Sequence, residues 1–214
     1  MRIEKPIYKE YKGQTYLDEF LSMKCCGDIL NVLNPIQGLK KEISESMAVV
    51  KRLRKALIKN PDKYILYDLC AGNALTSVIA THLFQTKHTY AIDVLTRERR
   101  WDKIRGFTYI NDNIHNDTMC DRIENNSIII AVHPCDNLAT RVVDIYNQSK
   151  AEMLLIMPCC NGPMNINLPP VIKEKIGSYI AWSWSLASRC RGRVNMIIDD
   201  KCLSPKNCLI IAKK

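Results

Sequence analysis

Two stretches place reactive side chains directly behind apolar runs: IIIAVHPCD at 128–136 and LLIMPCC at 154–160. Each run has the length and composition of a buried strand, so His133, Cys135, Asp136, Cys159 and Cys160 fall where strands end. An imidazole takes up and returns protons near neutral pH. His133 is therefore a candidate general base, with Asp136 to orient it or to bind an acceptor. A thiolate is a nucleophile, and thiols together with imidazole can also ligate zinc or an iron–sulfur cluster. That metal reading is the weaker one. Cys159 and Cys160 are adjacent, which is a poor spacing for chelating one ion, and no CxxC occurs in the chain, so no metal is expected.

A third stretch, DLCAGNALTS at 68–77, follows a strand-like run and opens a helix-like one. Its small residues let backbone approach a ligand closely. The turn departs from GxGxxG, with Ala74 where a second glycine would stand. Asp93, 21 residues past Gly72, closes the next strand-like run, where a carboxylate receives the diol of a ribose. Asp112 closes the third run and is placed to accept from an adenine amino group. Acceptors on three successive strand ends suit an adenosine. A dinucleotide fits less well, because its pyrophosphate calls for the glycines that are missing.

The elements that must position these groups follow from the hydrophobic pattern. Residues 15–33 and 39–59 read as helices, broken by NPIQG at 34–38. The second of them, SMAVVKRLRKALI, sets Met47, Val50, Leu53, Leu57 and Ile58 on one stripe and KRLRK at 51–55 on its wet face. Strand-like runs lie at 64–69, 89–94, 107–110, 127–132, 153–157, 194–198 and 208–212. Helical segments are expected at 74–85, 97–104, 117–124, 137–149 and 170–188. Alternation of strand and helix implies parallel crossovers, whereas DDKCLSPKNC between the last two strands is long enough only for a hairpin. The expected fold is α/β: a Rossmann-like, seven-stranded doubly wound sheet with a C-terminal antiparallel hairpin. Residues 1–60 would form a helical extension or cap on a domain spanning 61–214, the whole being one compact unit.

The series DLCAGNA, AIDV and NDN, with a polar loop after the fourth strand, resembles the class I S-adenosylmethionine-dependent methyltransferases over about 60–214. The resemblance implies S-adenosyl-L-methionine as cofactor, held by Asp68, Cys70, Ala71, Gly72, Asn73, Asp93, Val94, Asp112, Asn113 and His133. More narrowly, HPCDNLATRVVD, MPCCNG and LSPKNCLIIAKK are similar to a branch with tRNA acceptor-stem ribose 2′-O-methyltransferases and related methyltransferase-like proteins. That branch carries an H-x-C-[GD]-x-x-[AT]-[TD] stretch and a P-C-C, here 133–140 and 158–160. The implied catalytic set is His133, Cys135, Asp136, Cys159 and Cys160. Pro134-Cys135 and Pro158-Cys159 also resemble, incompletely, the cysteine corners of RNA cytosine-C5 methyltransferases, which attack the pyrimidine ring through a thiolate. The [DNS]PP[YFW] stretch of adenine-N6 and cytosine-N4 enzymes is missing.

Composition narrows the partner. The net charge is +9, and the excess of Lys and Arg falls in residues 1–60 and 170–214 around a nearly neutral middle. Basic flanks suit a polyanion, so RNA, tRNA-like, is the expected partner, through the N- and C-terminal regions. A small-molecule acceptor and a catalytically inactive RNA- or partner-binding scaffold are the alternatives. Trp182 and Trp184 precede Arg189, Arg191 and Arg193, a set that can stack bases, although a core role for one tryptophan is the plainer reading. No apolar run is long enough to span a membrane. The charged MRIEKPIYKEYKGQ start is unlike a secretory signal, so a cytoplasmic location with reduced cysteines is expected. Cys25, Cys26, Cys120, Cys190, Cys202 and Cys208 read as packing or surface thiols.

Overall fold

The computed structural model describes residues 13–33, 37–159, 162 and 169–214. Seven strands form one sheet: β1 (Ile65–Leu69), β2 (His88–Asp93), β3 (Phe107–Asn111), β4 (Ser127–Val132), β5 (Met153–Met157), β6 (Arg193–Ile198) and β7 (Cys208–Lys213). Their order is β3-β2-β1-β4-β5-β7-β6. The pairs among β1–β5 are parallel, and β7 lies antiparallel between β5 and β6. The order reverses between β1 and β4, so the carboxyl ends of these two strands flank the crevice in which such sheets bind ligands.

Side chains on the central strands alternate between two cores. Leu66, Ile128, Ile130 and Leu155 face one cluster, whereas Tyr67, Ile129, Ala131, Leu154 and Ile156 face the other. The first is covered by α1 (Tyr16–Leu21), α2 (Cys26–Leu33), α3 (Leu39–Leu57) and α4 (Leu75–Phe84). The second is covered by α6 (Asn137–Gln148) and α7 (Pro170–Arg189), with the single turn α5 (Met119–Arg122) at its border. Residues of α3 are buried in the same cluster as β1, β4 and β5, and Ser46 and Thr76 hydroxyls meet at 2.9 Å across the α3–α4 contact. None of the described helices is long and apolar enough to cross a membrane.

Several elements differ from the expectation. The helix expected over 15–33 is two helices, because Ser22 caps α1 through its backbone N–H before α2 begins. The break expected at 34–38 lies partly outside the described residues, which resume at 37. At 97–104 only a 3₁₀ turn forms, Trp101–Lys103. RERRW offers no apolar stripe to hold a helix on the sheet, and its one aromatic instead stacks on Tyr109, with ring centroids 5.0 Å apart. Ile58 leaves the stripe of α3 and is 60% exposed, since it follows the last helical residue. In α7 the helix is interrupted at Gly177, whose φ of 77° only glycine adopts without strain.

Candidate active site

The turn after β1 departs from ordinary backbone. Cys70 has φ 61°, Gly72 53° and Ala74 55°, so two non-glycine residues sit in the left-handed region beside the one glycine. The same occurs after β4, at His133 (58°) and Asp136 (48°). Strained conformations of this kind persist where the surrounding structure enforces them, and they cluster at ligand sites. Here they mark both edges of the crevice.

Asp93 organises the first edge. Its carboxylate accepts the Gly72 N–H at 2.9 Å and the Leu95 N–H at 2.9 Å. A carboxylate offers about four lone-pair sites, so two acceptor positions remain for hydroxyls. Val94 and Leu95, 59% and 53% exposed, follow it as an apolar shelf beside this carboxylate. Tyr109 fixes the surrounding loop, its one O–H shared between the carbonyls of Leu95 (2.9 Å) and Gly72 (3.1 Å). Beneath the turn, Asp68 is buried and accepts the Ser77 hydroxyl at 2.7 Å. Burial pushes its carboxyl up to about 7, only partly offset by that hydrogen bond. Burial, with Asp93 and Asp68 close by, also raises the Cys70 thiol to about 12, which keeps it protonated and poorly nucleophilic.

At the end of β3, Asp112 does not point freely into solvent. Its carboxylate takes the Arg122 guanidinium, the Asn116 amide and the Asn113 N–H. These contacts hold it below the ordinary aspartate value, and Asn113 in turn accepts from the His115 N–H at 2.9 Å. Any further donor must share oxygens already engaged.

The second edge carries the imidazole. His133 Nε2 lies 2.6 Å from Oε1 of Glu45, a buried residue of α3 that also pairs with Lys41 at 3.3 Å. The two atoms approach closely without the alignment of a hydrogen bond, and Nδ1 is buried with no hydrogen-bond partner among the described residues. Burial pushes the Glu45 carboxyl up, but the His133, Ser204 and Lys41 contacts outweigh it, and the net position is below the ordinary glutamate value. Asp136 is exposed at the head of α6, where its side chain makes no cap bond. The carboxylate set against the imidazole is thus Glu45. Nothing in its local sequence singled it out.

The thiols complete the floor. Cys135 is exposed and Cys159 half-buried, with their sulfurs 2.9 Å apart, and both donate to the His133 carbonyl, at 3.6 and 3.5 Å. Cys160 lies outside the described residues. No cluster of three metal-ligating side chains occurs among the described residues.

A cavity of ≈ 430 Å³ joins the two edges. Cys70, Ala71, Gly72, Asn73, His133 and Cys159 line it, six of the fourteen sequence-predicted site residues. Asp93 reaches it through Gly72, whereas Asp112 and Asn113 stand outside it. The lining also brings in Glu42, Glu45, Lys41, Arg97 and Lys206. Glu42 accepts from Asn73 at 3.2 Å, and its carboxyl is raised by burial and by neighbouring Glu45. Trp182 is a core residue and Trp184 is exposed, while Arg189 is engaged by Asp144 at 3.1 Å.

These residues fit S-adenosylmethionine. Asp93 has free acceptor positions for the ribose diol, Val94 and Leu95 give a flat apolar contact, and a Cβ built on Gly72 would meet open space rather than protein. The first turn of α4 opens at Ala74 without a side-chain cap, leaving backbone N–H groups for a carboxylate. When bound, the cofactor supplies an electrophilic methyl group on a sulfonium.

Comparisons with known proteins agree on the fold. The methyltransferase domain of bacterial CtHen1-CN is 12% identical and aligns over 79% of this chain and 100% of its own, with a TM-score of 0.53. The CurJ carbon methyltransferase is 15% identical, over 80% of this chain and 54% of its own, with a TM-score of 0.54. No curated protein matches the sequence. At these identities the structures speak for the fold alone, and the family is shown by sequence: the model of a methyltransferase domain matches residues 40–166, from the start of α3 to beyond the thiol corner of β5. With the turns after β1, β2 and β3 and the corners after β4 and β5 inside that span, the chain belongs to the methyltransferase-domain family and is an S-adenosylmethionine-dependent methyltransferase.

Proposed function

We propose that this enzyme methylates RNA, tRNA-like in form, at an acceptor atom that must surrender a proton, a ribose hydroxyl foremost. The observation that carries the reading is the buried Glu45 carboxylate 2.6 Å from His133 in the wall of the cavity. A hydroxyl is a weak nucleophile. An imidazole paired with a carboxylate can take its proton as the methyl group transfers, and the carboxylate stabilises the imidazolium that forms. Alignment for in-line displacement falls to the cavity walls, which hold the acceptor against the Gly72 turn. Asp112 and Asn113 would meet the adenine edge, and the helices of residues 1–60 would serve as the substrate-side cap.

Two groups of cations favour a polyanion. Lys41, Arg97 and Lys206 line the cavity itself. A second groove of ≈ 500 Å³ runs beside α3, lined by Lys51, Arg52, Arg54, Lys55, Lys201, Asp199 and the Tyr16 ring. Glu19 pairs with Lys51 and Lys201, and Asp199 with Arg52, so Arg54 and Lys55 are the cations there with no ion pair among the described residues. Phosphates passing along the groove would lead a strand toward the cavity at the other half of the same helix.

The test is methyl transfer from labelled S-adenosylmethionine to size-fractionated RNA and to a small-molecule extract. Label in tRNA-sized RNA, sensitive to ribonuclease and lost in His133→Ala, is the expected result. Label confined to small molecules would overturn the RNA assignment.

A further inference from the structure

We propose that Cys135 and Cys159 form a redox-modification site, a dithiol that closes to a disulfide across the two strand-end corners. The inference goes beyond methyl transfer and is independent of the acceptor. Three observations carry it. The sulfurs are 2.9 Å apart, well inside ordinary non-bonded sulfur contact and within a small side-chain rotation of the roughly 2.05 Å bond. Their backbones are fixed side by side, because β4 and β5 are paired up to Val132↔Met157 and the His133 N–H continues the ladder to the Met157 carbonyl at 2.8 Å. Exposure is divided between them: Cys135 faces solvent, whereas Cys159 lines the cavity.

The chemistry takes a hydroperoxide as oxidant. The Cys135 thiolate attacks the peroxide oxygen and becomes a sulfenic acid, releasing water or an alcohol. Cys159 then attacks that sulfur, the S–S bond forms, and the hydroxyl leaves as water with the Cys159 proton. Two thiols lose two electrons and the peroxide gains them. A thiol reductant returns the pair. In a reducing compartment the dithiol is the resting form and the disulfide is transient. Closure ties the corner after β4 to the corner after β5, so the cavity floor exists in two covalent forms.

The experiment is graded oxidation of the full chain with hydrogen peroxide, read by intact mass and by a non-reducing tryptic digest. The expected result is a mass lower by two hydrogens, fragment 123–141 joined to fragment 151–173, and reversal by dithiothreitol. Cys159→Ser and Cys159→Ala should lose the joined fragment while Cys160→Ser keeps it. The proposal is overturned if the two fragments never join, if Cys135 proceeds to a sulfinic acid instead, or if joining survives at Cys159→Ser and disappears at Cys160→Ser.

Discussion

His133, at the end of β4, stands 2.6 Å from Glu45 of α3, and the facing nitrogen and oxygen are both buried. A carboxylate beside an imidazole can hold the ring in place and stabilise the charge that forms when it takes a proton. If the pair removes the acceptor proton, Glu45→Gln should lower kcat about 10- to 100-fold, part of the roughly 10²–10⁴-fold that a positioned general base contributes. Cofactor affinity, measured by calorimetry, should change little. Equal activity in wild type and variant would remove Glu45 from the mechanism.

The same residue sets an acid limit on stability. The Glu45 carboxyl is held below its ordinary value of 4.5, so the folded state binds fewer protons than the unfolded chain in that region. Its stabilisation is present above pH 4.5 and is lost as pH falls through the folded value. Urea titrations of wild type and Glu45→Gln should converge toward acid pH.

Asp68 behaves in the opposite sense. Its carboxyl rises from 3.8 to about 7, so the folded state holds a proton that the unfolded chain releases. Stability therefore falls as pH rises between these values, and the full cost is in place above about 7. Asp68→Asn should gain on the order of 2 kcal/mol relative to wild type between pH 5 and pH 8. A parallel pH dependence for the two proteins would contradict the buried, raised carboxyl.

Asp93 anchors the Gly72 turn and keeps acceptor positions that would receive a ribose diol. Asp93→Ala removes charged hydrogen bonds worth roughly 1.5–3 kcal/mol, so S-adenosylmethionine should bind about 10- to 100-fold more weakly. Asp93→Asn should lose less. Calorimetry with S-adenosylhomocysteine reads both.

If the groove beside α3 carries phosphates, RNA affinity should fall linearly on a log–log plot against salt. Arg54→Ala and Lys55→Ala, both lining that groove, should each reduce the slope by about one. Unchanged slopes in both variants would move the RNA elsewhere.

Much of the fold was legible because strands buried on both faces read as continuous apolar runs. YILYDL, SIIIAV and MLLIM were located to within a residue of their ends. The short DDKCLSPKNC connection likewise revealed the antiparallel partner of β6. Glu45 was not legible. A glutamate four residues after Lys41, within SES, reads as a solvated helix pair, and only the passage of α3 across the end of β4 buries it. The engagement of Asp112 by Arg122 was equally hidden, because α5 is too short to announce where its last residue points. The strand ends told which residue types would gather. They did not tell which charges would already be neutralised.

β7 sits between β5 and β6, although it follows both in the chain. During synthesis β6 leaves the ribosome with no neighbour to join, since its only pairing in the sheet is with residues still to come. The edge of the sheet nearest the thiol corner must therefore assemble last, and a nascent chain stalled between 198 and 208 would expose an unpaired strand to its neighbours.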